Sequence, residues 1–136
     1  MEPVLQLCLT ANPKDHTILI PAFAGLGAPY WKAEAKAAFV NMTATTGKNE
    51  LVKATLNSLV YQISDILSQF QQLYPKVNQE IHTDGGMIHN KYLMQYLCNI
   101  TQKVVKIADI PELSALGSAM NARNKKEQAQ SSKSFT

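Results

Sequence analysis

The sequence is poor in the features that mark secreted and membrane proteins. It contains two cysteines in 136 residues, and Cys8 and Cys98 lie far apart without CxxC spacing. A disulfide framework is therefore not expected, and reduced thiols are typical of the cytosol. No apolar run is long enough to span a bilayer, and the first residues lack a basic segment leading into an apolar one. We therefore expect a cytoplasmic protein that does not enter a membrane.

Positive charge and metal-ligand spacing are also scarce. The formal net charge is +3, which the lysines of the polar carboxy-terminal tail are enough to explain. A nucleic-acid-binding domain calls for a basic stripe on a folded face, and none is visible. His16, His82 and His89 have no mutual spacing that is typical of a zinc site. We expect neither nucleic acid as a partner nor a metal site in this chain.

Hydrophobic periodicity predicts one α/β domain. Apolar residues recur at steps of three and four from Lys48 to about Leu73, which indicates a long amphipathic helix. Thr46 or Asn49 is the expected cap of this helix, and Pro75 is expected to stop it. The other predicted elements are strands at Thr17–Ala22 (buried), Ala37–Thr43, Glu80–Thr83 and Lys103–Ala108, an edge strand at Val4–Leu9, and helices at His89–Thr101 and from Pro111 or Ser114 to Arg123. This alternation implies right-handed crossovers and partly parallel strands.

Two adjacent glycines, Gly85 and Gly86, follow the strand that ends at Thr83. Glycine lets backbone come within contact distance of a ligand, because no Cβ stands in the way. It also leaves the first amides of the following helix free to face an anion. A phosphate or ribose could be held here with few side chains. The alternative is a tight turn that needs glycine for positive φ.

Three segments together resemble the FGGY carbohydrate kinases, and glycerol kinases in particular. Residues 21–31 (PAFAGLGAPYW) look like the glycerol kinase signature, and residues 84–95 (DGGMIHNKYLMQ) resemble the family's adenosine-binding motif. Residues 112–119 (ELSALGSA) are similar to the start of its last core helix. Gluconate- and xylulose-type relatives usually carry Gly-Glu-Arg where this chain has Gly25-Leu26-Gly27, which favours the glycerol kinase branch.

The resemblance implies a fold, a domain assignment and a parent reaction. The fold is a partial ribonuclease H-like half-domain of the actin-like ATPase superfamily, with a mixed sheet and flanking helices. Residues 1–123 would be an incomplete C-terminal kinase domain, and residues 124–136 are expected to form a disordered tail because they are almost wholly polar. The parent enzyme would convert ATP and glycerol to glycerol 3-phosphate and ADP with Mg²⁺, and we expect no covalently bound cofactor.

The same resemblance assigns nucleotide contacts to Gly85, Gly86 and Asn90. It places the hydroxyl-activating aspartate and the two phosphate-gripping hairpins in parts of the family that precede the matched region. No catalytic residue is therefore assigned here, and the chain is expected to be inactive alone. Asp84 is interpreted as bonding to the glycine turn rather than as a catalytic carboxylate, and His89 as an exposed residue at a helix start.

Several other residues are interpreted as structural. Tyr30 and Trp31 are expected to anchor a loop or the core, and Ser114 to cap a helix. Small side chains should allow close packing of the last helix on the sheet (Ala115, Gly117, Ala119). Methionines should fill the core (Met87, Met94, Met120).

The chain also departs from the family pattern, and this leaves alternatives open. Lys32 stands where the family usually has Asp, and Ala35-Lys36-Ala37 replaces Ala-Arg-Gly, which removes the planar fork of arginine. A non-catalytic interaction module is one alternative, with sheet edges that pair with a second copy or with a separate amino-terminal kinase half. A kinase of another polyol or sugar is a second alternative.

Overall fold

The computed structural model describes residues 2–75, 80–108 and 115–123. In chain order the elements are α1 (Glu2–Thr10), β1 (Ile18–Ile20), β2 (Ala38–Val40), α2 (Lys48–Leu73), β3 (Glu80–Thr83), a short 3-10 helix (Gly86–His89), α3 (Lys91–Thr101) and β4 (Val104–Ile107). Residues 115–123 are helical as well. The predicted start of that last helix and the predicted tail lie outside the described residues.

The strands pair in both senses, which confirms the predicted α/β class. β1 and β2 are antiparallel, with Leu19 opposite Phe39. β3 and β4 are parallel, with Ile81 opposite Val105, and α3 connects them. The described strands form two separate pairs rather than one continuous sheet. Thr17–Ala22 was expected to be a buried strand, but within the shorter β1 the flanking isoleucines are exposed and Leu19 alone is buried.

The long helix α2 has the predicted bounds and carries the core. Its buried residues Leu56 and Val60 meet Leu93 and Leu97 of α3 and Cys8 of α1 in one apolar cluster. Residues spaced by four place their side chains on one helical face, so a single stripe can serve both neighbouring helices. α1, β1 and α3 all pack on α2.

The prediction of an edge strand at Val4–Leu9 is wrong, because this segment lies within the helix α1. Val4 and Cys8 face α2, and Ala11 just beyond the helix is buried as well. Their spacing of four and three matches the helical period. A short apolar run fits either periodicity, and here the available partner is a helix face rather than a free strand.

The predicted caps of α2 are also wrong, because both candidates bond elsewhere. The N-cap residue is Gly47, whose N–H donates to Oε2 of Glu50 at 2.9 Å, while Oε1 of the same carboxylate accepts the N–H of Asn12 at 2.8 Å. Thr46 Oγ1 donates to Asp15 Oδ2 at 2.6 Å, and Asn49 donates to a hydroxyl of α1. One carboxylate therefore accepts a backbone amide at the start of α2 and another just after α1, and so joins the two helices.

This arrangement predicts an acid-dependent stability. The hydrogen bond from the amide of Asn12, with that from Gly47, holds the pKa of Glu50 below its ordinary value of 4.5. Its stabilising contribution is complete above that value and is lost as the pH falls through the lower folded-state pKa. We expect Glu50→Gln to lower the denaturation midpoint at neutral pH and to flatten the fall in stability below about pH 4.5.

Urea denaturation at a series of pH values measures both effects. Glu34→Gln is the matched control, since the Glu34 carboxylate is exposed and makes no hydrogen bond or ion pair with residues in the described ranges. It should retain the pH dependence of the unmodified chain. An unchanged pH profile in Glu50→Gln would contradict the assigned role.

Candidate functional site

The two glycines after β3 have different conformations. Gly85 has φ +90° and ψ −179°, a region that side-chain-bearing residues rarely adopt, while Gly86 has no positive φ. The Gly85 carbonyl accepts the N–H of Ile88 at 3.3 Å, which closes the turn. A Cβ built on Gly86 would meet no atom within 4 Å. Gly85 therefore makes the turn, and Gly86 presents open backbone.

Asn90 is held at the start of α3 and is 4% exposed. Its Oδ1 accepts the N–H of Leu93 at 3.1 Å, so its side chain caps the helix. The predicted helix start at His89 is shifted accordingly, because residues Gly86–His89 form the 3-10 helix and α3 begins at Lys91. His89 is exposed, as predicted. The structure therefore gives Asn90 a local role at the end of the turn that Gly85 creates.

An apolar groove of about 390 Å³ lies beside this turn. One wall comes from α2 and the other from the end of β3, the 3-10 helix and α3. We call it the apolar groove and define it by the residues Leu59, Ile63, Ile66, Asp84, Met87 and Met94. Its volume falls within the range of small-molecule sites, which are mostly apolar with few polar groups.

Asp84 stands at the rim of the apolar groove without the predicted bonds to the glycine turn. Its side chain is exposed, and it makes no hydrogen bond or ion pair with the residues that the structure describes. In the turn itself, the amides of Ile88 and Asn90 bond to main-chain carbonyls. The carboxylate is thus available to solvent or to a ligand.

The wall that α2 contributes to the apolar groove was not predicted from the sequence. Ile63 and Ile66 belong to the predicted apolar stripe, which indicated an amphipathic helix but no ligand site, and both are partly exposed in the apolar groove. Met87 was expected to fill the core but is 45% exposed at the same groove. The signal was present in the stripe itself, which extends along α2 beyond the part that α1 and β1 cover.

Residues 21–31 and the described part of the third segment, residues 115–119, do not line the apolar groove. Tyr30 anchors its loop to α2, because its hydroxyl donates to Oδ2 of Asp65 at 2.8 Å and this hydrogen bond raises the pKa of Tyr30. Trp31 is 77% exposed and does not enter the core.

The small residues of the last helix are exposed too, and a Cβ on Gly117 would touch nothing within 4 Å, so their predicted close packing is wrong. Met120 is exposed as well.

Metal ligands and membrane spans are absent from the described ranges. Residues 2–75, 80–108 and 115–123 contain no group of three histidine, cysteine or carboxylate side chains placed to hold a metal ion. No helix within these ranges combines the length and hydrophobicity that crossing a bilayer requires.

Solved structures with this fold are carbohydrate kinases of the actin-like ATPase fold. The structure of Plasmodium falciparum glycerol kinase with ADP superposes with a TM-score of 0.77 and 27% identity, over 87% of this chain and 24% of that one. Gluconate kinase from Lactobacillus acidophilus gives a TM-score of 0.72 at 23% identity, over 82% of this chain and 23% of that one, and shares the fold.

Sequence comparison identifies the family. Residues 3–123 match the C-terminal domain of the FGGY family of carbohydrate kinases, so the chain belongs to this family. Glycerol kinase 1 of Thermotoga maritima is 37% identical over 117 residues, which are 86% of this chain and 24% of the relative. Glycerol kinase of Ectopseudomonas mendocina is 41% identical over 101 residues, 74% of this chain and 20% of the relative. The chain thus spans about a quarter of the length of such relatives.

Because Gly85 and Gly86 differ in backbone conformation, their substitutions should differ in their effect on stability. We expect Gly85→Ala to destabilise the chain by about 1–3 kcal/mol, because alanine is strained at this φ. Gly86→Ala should be neutral or stabilise by up to about 1 kcal/mol, because it restricts the unfolded chain and meets no neighbour. Urea denaturation followed by circular dichroism measures both. Equal losses in the two variants would contradict the assigned conformations.

Proposed function

We propose that the chain supplies the nucleotide-side wall of a glycerol kinase-like enzyme. The parent reaction is phosphoryl transfer from ATP to glycerol, which gives glycerol 3-phosphate and ADP. The observation that carries this proposal is the open face of Gly86 beside the apolar groove. The similarity to a glycerol kinase solved with ADP supports it.

The apolar groove suits a nucleoside in size and chemistry. Aliphatic side chains of α2, such as Ile63 and Ile66, would cover the faces of the base, since apolar surface gains free energy when water leaves it. Gly86 would let the ribose or phosphate approach the backbone closely. Gly85 and Asn90 would act by holding the turn, because one sets its direction and the other caps α3.

The proposal assigns nucleotide binding to this chain, but not catalysis. Phosphoryl transfer needs a group that orients the attacking hydroxyl, a Mg²⁺ bridge and donors around the γ-phosphate. The single carboxylate at the apolar groove is Asp84, and a lone carboxylate within the described residues does not make a magnesium site. We therefore assign no Mg²⁺ ligand and no catalytic residue to this chain, and propose that it binds nucleotide without turnover by itself.

The test is titration with fluorescently labelled ADP. Gly86→Val should weaken binding at least tenfold, a loss of about 1.4 kcal/mol or more, because its branched side chain would fill the open face. Circular dichroism should remain unchanged, because no neighbour is displaced. ATP and glycerol supplied to the same preparations should give no turnover.

Gly27→Val is the matched control for this titration. A Cβ on Gly27 also meets nothing within 4 Å, and Gly27 does not line the apolar groove. This variant should bind labelled ADP like the unmodified chain. Equal affinity in Gly86→Val and the unmodified chain would show that the glycine pair is only a turn.

The exposed end of α2 favours a second function, that of an interaction module. Beyond the core, apolar side chains remain on the surface, with Phe70 50% and Leu73 73% exposed. Phe70 packs on Tyr74, which is 58% exposed, at a ring-centroid distance of 5.1 Å, so these two rings form a joint exposed surface. Such patches favour association, here with a second copy or with a separate amino-terminal kinase half.

Sedimentation at several concentrations tests this second function. We expect the unmodified chain to self-associate and Phe70→Lys to weaken that association, because a charge would have to be desolvated in the contact. Gln71→Lys adds the same charge at the neighbouring exposed position and should associate normally. A monomer at all concentrations, without affinity for an amino-terminal half, would leave nucleotide binding as the function.

A further inference from the structure

A second groove, of about 270 Å³, lies between residues 15–18, α2 and α3. Polar side chains dominate its lining, and we call it the Lys53 groove, defined by His16, Thr17, Lys53, Asn57, Tyr61 and Tyr96. It shares no residue with the apolar groove. A hollow of about 30 Å³ adjoins it and also contacts Lys53 and Asn57, so the floor has room for a water molecule.

Most hydrogen-bond acceptors around this groove are already engaged. Asp15 Oδ1 accepts the N–H of Thr17 at 2.8 Å, and Oδ2 accepts the hydroxyl of Thr46 at 2.6 Å. Asn57 Oδ1 accepts the hydroxyl of Tyr92 at 2.8 Å. The nearby Glu50 carboxylate accepts two backbone amides. The carboxylates therefore serve the fold, and their charge is partly offset by these donors.

Several hydrogen-bond donors of the groove, in contrast, have no acceptor among the described residues. Lys53 is partly buried as a residue, and its ammonium makes no ion pair or hydrogen bond with any residue of the described ranges. The Asn57 amide group keeps both N–H bonds, since its oxygen alone is used. One of the hydroxyls of Tyr61 and Tyr96 donates a hydrogen bond to the other at 2.7 Å. The proton of the accepting hydroxyl is left for another acceptor. Burial, followed by the bond to Tyr61, raises the pKa of Tyr96, so the Tyr96 hydroxyl keeps its proton.

We infer that the Lys53 groove binds a small oxyanion, a phosphate or carboxylate group. Lys53 supplies the charge, while the Asn57 amide and the tyrosine pair supply directional hydrogen bonds to its oxygens. Hydrogen bonds between charged partners are the strong ones, and a cation partly withdrawn from water gains most from a counter-charge. The stacked rings of Tyr92 and Tyr96, 5.8 Å apart, hold one wall in place.

Inorganic phosphate and acetate are the probes, titrated into the whole isotope-labelled chain and followed by NMR of the backbone amides. Potassium chloride at matched ionic strength separates binding from screening. Saturable shifts at His16, Thr17, Lys53 and Asn57 are expected with phosphate, with acetate or with both. The pattern of response to the two probes tells which oxyanion the groove accepts.

Two variants and a control make the assignment specific. Lys53→Met keeps the apolar stem, and Asn57→Asp keeps the acceptor for Tyr92 while it adds a negative charge. Each should weaken oxyanion binding roughly tenfold or more, the effect of losing a bond to a charged group. Lys48→Met removes an exposed charge from the same helix and should bind normally. Circular dichroism confirms the fold of each variant.

Three results of these titrations would overturn the inference. These are an absence of saturable shifts, equal shifts with potassium chloride, and retained affinity in either Lys53→Met or Asn57→Asp. Gly86→Val changes the turn beside the apolar groove and should leave these titrations unchanged. The oxyanion site and the nucleotide site can therefore fail independently.

Discussion

Burial of the amino-terminal half of α2 holds the described elements together. α1, β1 and α3 pack against this one helix, and Val60, at the centre of the shared cluster, has no exposed surface. A fully buried aliphatic side chain of this kind contributes about 1.5–3 kcal/mol. α1 is a short helix and β1 a three-residue strand. Such short elements need a partner of this kind to become stable.

The carboxy-terminal half of the same helix has a different environment, and the apolar groove follows from that difference. α2 continues past its cover, so Ile63 and Ile66 keep part of their surface open. Gly85 turns the chain sharply after β3, and Met87, just beyond Gly86, lies on the opposite wall. One helix thus provides the core at one end and a ligand-sized groove at the other. Both depend on the length of a single uninterrupted apolar stripe.

Strong local signals predicted much of this fold. The bounds of α2 and of β3 agree with the structure because a long 3.6-residue period and a strand ending in glycines have few alternatives. The segment of α1 was misassigned because its short apolar run fits two periodicities. The caps of α2 were misassigned because Thr46 bonds to Asp15, a partner distant in sequence. Local patterns do not contain such contacts.

The position of the glycine turn was predictable, but its detail was not. The sequence points to Gly85, Gly86 and Asn90 as a unit, and the structure brings them into one turn. Which glycine carries the positive φ is decided by how β3 and α3 are joined in space, so the sequence alone could not separate their roles. The contribution of α2 to the groove, through residues such as Ile63, likewise depends on which parts of the helix other elements cover.

The double use of Glu50 has a consequence for how the molecule can vary. Its carboxylate bonds to the amides of Asn12 and Gly47, so the segment between these residues, which contains β1 and β2, is fastened at its base. The entropy of closing a flexible loop grows only slowly with its length. Residues at the tip of the glycine-rich segment can therefore be inserted or removed while the base stays fastened. The carboxylate thus holds the two ends of that segment at the start of the helix on which the grooves are built, whatever the length between them.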